Sequence, residues 1–204
     1  MGAVAPDLLG MFSRRIKPLQ LENRLNGRGF HPEELLQGLR HHHQVDSRFH
    51  AGLLFQSGAR NLRERLQEAS DTPGLKRFFP AHLLSEMFLD KQLLREWDGL
   101  SAELDRTLVE HGESLAGLAG LHPGLDRGEF RSFLWRVAED RYWEDYKRPR
   151  GVFERMNRIL TRFGMRHLEK REEQAAMEWF EQTQTERWQE LEAFVKEMQS
   201  ATKD

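Results

Sequence analysis

The chain has 204 residues, a net charge of −2, 38% hydrophobic and 31% charged residues, and no cysteine. That composition suits a soluble globular protein with a core and argues against an intrinsically disordered chain. It excludes disulfides and thiol catalysis, and a cysteine-free chain fits a reducing cytoplasm. No run of eighteen apolar residues exists, so no helical membrane span is expected. The basic pair in MGAVAPDLLGMFSRR follows the apolar stretch, the reverse of a secretory signal.

The pattern along the chain is helical almost throughout, because period-two alternation is missing and β-branched residues are scarce. Near the start, Asp7 follows a proline and is placed to cap a helix from Leu8, or to act as a ligand from a loop. HPEELLQGLR opens a helix: Pro32 suits its first turn, and Glu33 and Glu34 suit its positive end. That helix is expected to run through His50 to about Leu54. Ser57 is expected to cap a helix over 60–69, and DTPG at 71–74 to form a turn. A long helix follows over 80–97. Another is capped by Ser101 and ends near Gly112, and HPG at 122–124 breaks the chain again. Helices over 127–147 and 152–163 precede a last one over 166–198. The expected fold is therefore all-α: a bundle of about seven helices with a long C-terminal helix. Residues 1–165 would form one helical domain bearing the site. Residues 166–204 would pack on it or on a partner.

Two of these helices carry polar residues inside an apolar stripe. At about 100° per residue, with His82 at zero, Glu86 falls near 40° and Asp90 near 80°, beside Leu93 and Trp97. Lys91 and Arg95 fall on the opposite side, which is expected to face solvent. With His42 at zero, Asp46 falls near 40° and His50 near 80°, among Leu35, Leu39 and Leu53. Each ladder reads i, i+4, i+8. His41 and His43 point about 100° to either side and are not expected to be ligands. Burying such groups costs several kcal/mol each unless they are paired or bind a metal. Imidazole and carboxylate are ligands for divalent first-row metals. Asp7, His42, Asp46, His82 and Glu86 are thus candidate ligands, with His50 and Asp90 orienting a ligand or moving a proton. The competing reading is a buried structural network, with His42–Asp46 and His82–Glu86 as hydrogen-bonded pairs. His31, His111, His122 and His167 lack such a setting.

Charge is unevenly spread. Residues 141–171 hold ten basic side chains against four acidic, and residues 172–204 hold nine acidic against three basic. The two segments either neutralise each other or offer a partner surface. Arg148, Arg150 and Arg155 are candidates, by charge, for holding a substrate phosphate. The competing reading places them on a solvated surface. Tyr142, Trp143 and Tyr146 line a pocket or belong to the core. No nucleic-acid-binding motif is present, and the basic residues alternate with acids.

The segments APDLL, HHHQVDSRFH, HLLSEMFLD and RYWEDYKRPRGVFERMNRIL resemble, in this order, the bacterial acyl carrier protein phosphodiesterases and their relatives. The resemblance spans roughly residues 2–165. It implies an all-helical fold similar to the HD-domain phosphohydrolases. It also implies a divalent metal, manganese first, with zinc, iron or magnesium as alternatives. The implied reaction releases phosphopantetheine from the serine of an acidic carrier protein, which would be the partner. Asp7, His42 and Asp46 match the family's positions. Aspartate is usual where this chain has His50, His82 and Glu86, a change that keeps ligand character. The family's opening Asn-Phe-Leu-x-His segment is absent, so the expectation is that either the start is truncated or a core element and a possible ligand are missing. A non-catalytic helical binding module, with a structural metal or a polar network, is the alternative function.

Overall fold

The computed structural model describes residues 2–13, 33–71, 78–120 and 124–201. The expected features at Pro32, 72–74, 122–123, His31 and His122 lie outside the described residues. Regular structure among the described residues is helical throughout, as the missing period-two alternation implies. Among the described residues, a 3₁₀ turn, Gly2–Val4, is followed by nine α-helices: α1 (Ala5–Phe12), α2 (Glu33–Ala51), α3 (Leu53–Ala69), α4 (Phe78–Glu96), α5 (Leu100–Ala119), α6 (Arg127–Glu139), α7 (Tyr142–Tyr146), α8 (Pro149–Arg162) and α9 (Lys170–Ala201).

Several boundaries differ from the sequence reading, each for a local reason. Ser57 does not cap a helix. It lies inside α3 and donates its hydroxyl to the Leu53 carbonyl at 2.6 Å, a back-bond within the helix. The break falls instead at Gly52, whose extended backbone (φ −72°, ψ 151°) separates α2 from α3. Ser101 is buried in the first turn of α5, behind Gly99 in the left-handed region at φ 82°. That helix also continues past Gly112 to Ala119. The expected helix over 127–147 divides at Arg141, where φ is 49°.

The chain forms two compact units, 1–47 with 99–142 and 48–98 with 143–204; the boundary falls within α2. In the first unit α5 and α6 form a helical hairpin, with α1 packed on α6. Phe12 meets Phe130 and Phe133 at ring separations of 5.1 and 5.5 Å. Asp126 caps α6 by accepting the Glu129 N–H at 2.7 Å. Glu113 of α5 accepts from both Arg127 and Arg131 across the hairpin, and these bonds hold its carboxyl below the ordinary range.

The second unit is built around α4, which packs against α3, α8 and α9. With three neighbours α4 is buried on more than one face. This overturns the expectation that Lys91 faces solvent: it is 2% exposed, with its ammonium 4.2 Å from the Phe180 ring centroid. Burial, helped by the neighbouring Arg95 and opposed by Glu181, lowers the Lys91 pKa to about 8. Phe88, on the same helix, stacks on Phe180 at 4.7 Å and meets Phe153 at 6.0 Å.

The entry to α9 is fixed by a buried clasp. Phe163 and Gly164 end α8: Met165 N–H donates to Leu160 O at 2.9 Å and Gly164 N–H to Thr161 O at 2.9 Å, a left-handed glycine cap. Glu172, 1% exposed, then takes both Arg166 guanidinium nitrogens at 2.7 Å and the Glu169 N–H at 2.8 Å. The last contact is half of a capping box. Burial raises the Glu172 pKa, but the bonds from Arg166, the Glu169 N–H and Ser70 outweigh it and hold the carboxyl below its usual value. At the α7–α8 corner Gly151 lies against the chain: a Cβ there would sit 1.9 Å from the Asp145 carbonyl oxygen.

Two stability predictions follow from this packing. Gly151→Ala should destabilise by about 1–3 kcal/mol in urea unfolding, because the backbone must move, despite alanine's better helix propensity. Lys91 binds its proton more weakly folded (about 8) than unfolded (10.5, the ordinary lysine value), so stability should rise with pH between those values. Lys91→Met should stabilise the chain near neutral pH and abolish that rise in urea titrations.

Candidate metal centre

Among the described residues, one group of three or more ligand-type side chains lies close enough to share an ion: His50, His82 and Glu86, with their ligand atoms all within 4.8 Å of one another. All three belong to the second unit. His82 and Glu86 stand one turn apart on α4, so their side chains share a face. His50 comes from the last turn of α2. His50 Nε2 and His82 Nε2 each lie 3.2 Å from the same oxygen, Glu86 Oε1. The two imidazoles stack at 5.0 Å with 13° between their planes.

An apolar frame holds the rings. Buried Phe55, in the first turn of α3, meets His50 edge-on at 4.4 Å and His82 at 4.7 Å. Phe49 packs on Phe55 at 5.2 Å and on Phe194 of α9 at 5.8 Å. The Gly52 break lets α3 follow α2 closely enough for Phe55 to reach His50, and Gln56 donates to the His50 carbonyl at 3.3 Å. Phe78, one turn before His82, is exposed and 5.8 Å from its ring. The trio is not sealed: His50, His82 and Glu86 side chains are 28%, 31% and 28% exposed.

Two of the three donor separations suit a shared divalent ion. Two ligand atoms about 2.1 Å from a common ion lie about 3.0–3.4 Å apart at octahedral or tetrahedral angles. Both nitrogen–oxygen separations, at 3.2 Å, fall in that range, and the two nitrogens lie within 4.8 Å of each other. Two imidazoles and one carboxylate are also a ligand complement of catalytic zinc sites, which keep further positions for water. The same 3.2 Å separations equally suit a carboxylate hydrogen-bonded by two imidazoles.

The expected ligand set is thus redistributed. His50, expected to orient a ligand or move a proton, stands with His82 and Glu86. Asp90 is exposed, because each i+4 step rotates the ladder by about 40°. In the first unit, Asp7 lies 3.9 Å from His42, whose side chain is 18% exposed. Protein around Asp7 raises its pKa, His42 pulls it down, Asp46 pushes it up and His43 pulls it down. The carboxylate keeps 73% of its surface open, so solvent screens these influences. Asp46 is exposed. Arg148 and Arg155 both pair with Asp145, and Arg155 is buried against Tyr146; Arg150 pairs with Glu154 at 2.7 Å. These are structural pairings within one segment. Tyr146 is buried, while Tyr142 and Trp143 are half-buried. Phe55 and Phe78 were not singled out by periodicity; the Phe-His spacing of 78 and 82 on one helix was the available signal.

No protein-family model matches the chain, and no curated protein or solved structure matches it. No helix among the described residues is long and apolar enough to cross a membrane.

A saturating divalent ion that binds only the folded state should raise the thermal midpoint. At one hundred times Kd the gain is about 2.7 kcal/mol, or roughly 5–10 °C for a chain this size. The rise, read by circular dichroism with Mn²⁺ or Zn²⁺, should vanish in His82→Ala and in Glu86→Gln.

Proposed function

We propose that the protein is a divalent-metal-dependent phosphohydrolase of the phosphodiesterase type, with His50, His82 and Glu86 as its metal ligands. The observation that carries the reading is the approach of two imidazole nitrogens to one carboxylate oxygen at a half-exposed position. The reaction class rests on the sequence resemblance to carrier-protein phosphodiesterases, which also supplies manganese as the first metal to test. An acidic carrier protein or a small phosphodiester is the corresponding substrate.

A divalent ion in such a site supplies a water of lowered pKa and offsets charge on a phosphoryl oxygen. The chain's own residues do the rest. His50 and His82 offer neutral Nε2 lone pairs, and Glu86 offers Oε1. Phe55, wedged against both rings, fixes their orientation. Partial exposure leaves room for a substrate to approach. Phe78 provides an apolar rim beside His82. Arg148, Arg150 and Arg155 would have to leave Asp145 or Glu154 to hold a phosphate. The cysteine-free sequence suits work in a reducing cytoplasm.

The second reading, a helical module held by a histidine–carboxylate network, is favoured by the same 3.2 Å separations, which lie at the edge of hydrogen-bonding range. Glu86→Gln separates the two, since glutamine keeps an acceptor oxygen and loses the charge. Hydrolysis of bis(4-nitrophenyl) phosphate with Mn²⁺ should disappear on chelation. It should also fall about 100-fold or more in Glu86→Gln and His82→Ala, with helicity retained, as loss of a metal ligand implies. Metal binding without hydrolysis in the unmodified protein would leave the binding module.

A further inference from the structure

The two most exposed large apolar side chains among the described residues are Leu53 and Phe78, 83% and 64% exposed. Both stand beside members of the metal trio in the second unit. Phe78 precedes His82 by one turn of α4, and the two rings lie 5.8 Å apart. Leu53 opens α3 directly after the Gly52 break. In the chain it falls between His50 and the Phe55 that packs edge-on against both imidazoles. Isolated apolar residues on a surface are ordinary. Here the two largest exposures fall next to the one place, among the described residues, where ligand-type side chains converge.

At these exposures neither side chain gains much from the fold, and each would gain on being covered. The neighbouring trio decides what covers them. A phosphodiester carries two ester groups on its phosphorus. With a phosphoryl oxygen at the ion, one group leaves and the other is retained beside the ligands throughout the reaction. Phe78 offers that retained group an aromatic ring, and Leu53 offers it a branched alkyl chain.

The charges of this unit favour the same class of occupant. Arg148 and Arg155 are committed to Asp145, and Arg150 to Glu154. An acidic carrier protein would have to draw these guanidiniums from their partners, whereas Phe78 and Leu53 are open to an apolar group as they stand. Resting on the metal-dependent hydrolysis proposed above, we infer that the substrate is a small phosphodiester whose retained ester group is apolar, an aryl group first, and is gripped by Phe78 and Leu53. Remote apolar contacts of this kind lend their binding energy to the reacting phosphoryl group.

The test uses the full chain with Mn²⁺ and two phosphodiesters that share the 4-nitrophenyl leaving group, phenyl 4-nitrophenyl phosphate and methyl 4-nitrophenyl phosphate. In each, the water oxygen bonds to phosphorus, and 4-nitrophenolate departs with the electron pair of the broken P–O bond. The proton lost by the water passes to solvent, and the phenyl or methyl monoester remains. Relative to the uncatalysed rates, kcat/KM should favour the phenyl ester about tenfold, mainly through KM, the discrimination that one apolar contact surface supplies. Phe78→Ser should remove most of that preference and Leu53→Ser part of it, with the Mn²⁺-induced rise in thermal midpoint retained. Val109→Ser, at a position nearly as exposed as Phe78 but in the first unit, should leave the preference unchanged. Equal kcat/KM for the two esters, or a preference intact in Phe78→Ser, would overturn this inference and leave the metal-dependent hydrolysis standing. So would faster turnover of an acidic carrier protein bearing phosphopantetheine than of the phenyl ester. Hydrolysis of neither ester by the metal-loaded protein would instead defeat the proposed function, and this inference with it.

Discussion

A single carboxylate oxygen, Glu86 Oε1, stands 3.2 Å from two imidazole nitrogens, and the candidate chemistry of the chain depends on that junction. Three polar side chains brought together in partly desolvated surroundings cost free energy unless a proton or a cation is shared among them. The junction persists because its supports are apolar and rigid. Phe55 sits edge-on against both rings, and Phe49 backs Phe55. Glu86 and His82 ride on a helix whose other faces are packed by α3, α8 and α9. Rotation of α4 to relieve the polar group would expose Phe88 and Leu84, at about 1.5–3 kcal/mol for each side chain.

The same burial of α4 explains the charges in the second unit. Lys91 is kept beneath the face of Phe180, and Arg187 lies 4.9 Å over Trp179, so both cations meet aromatic faces. Burial lowers the pKa of each. The Arg187 guanidinium also lies against Gly58 of α3, where a side chain would have to displace it. Glu172 is treated differently, with a bidentate arginine and a backbone N–H. The long acidic helix is therefore not a solvated tail. Its first turn is locked to Arg166 and Ser70, and its apolar face is spent on α3 and α4.

Helical periodicity made the all-α fold legible, along with the long helices α4 and α9. It also made legible that His82 and Glu86 share a face, because each of these is a property of one segment. What periodicity could not supply was how many sides of a helix would be covered. Lys91 lies about 180° from His82, and the rule that one side faces water fails for a helix with three neighbours. Turn chemistry was similarly local: Ser57 and Ser101 have the chemistry of caps, but the breaks fall at Gly52, in extended backbone, and at Gly99, in the left-handed region that glycine favours.

The ladder on α2 shows the deeper limit. His42, Asp46 and His50 are equivalent in sequence, each four residues from the next, yet they have three fates. His42 lies near Asp7 in the first unit, Asp46 is exposed, and His50 joins His82 and Glu86 in the second. The unit boundary between Ser47 and Arg48 falls between the second and third rungs. Forty degrees of rotation per rung, added to a change of neighbours along one continuous helix, is enough to divide a single periodic pattern among different environments. A spacing of four residues specifies which side chains can meet a common neighbour; which neighbour that is depends on where along the helix each packing partner ends.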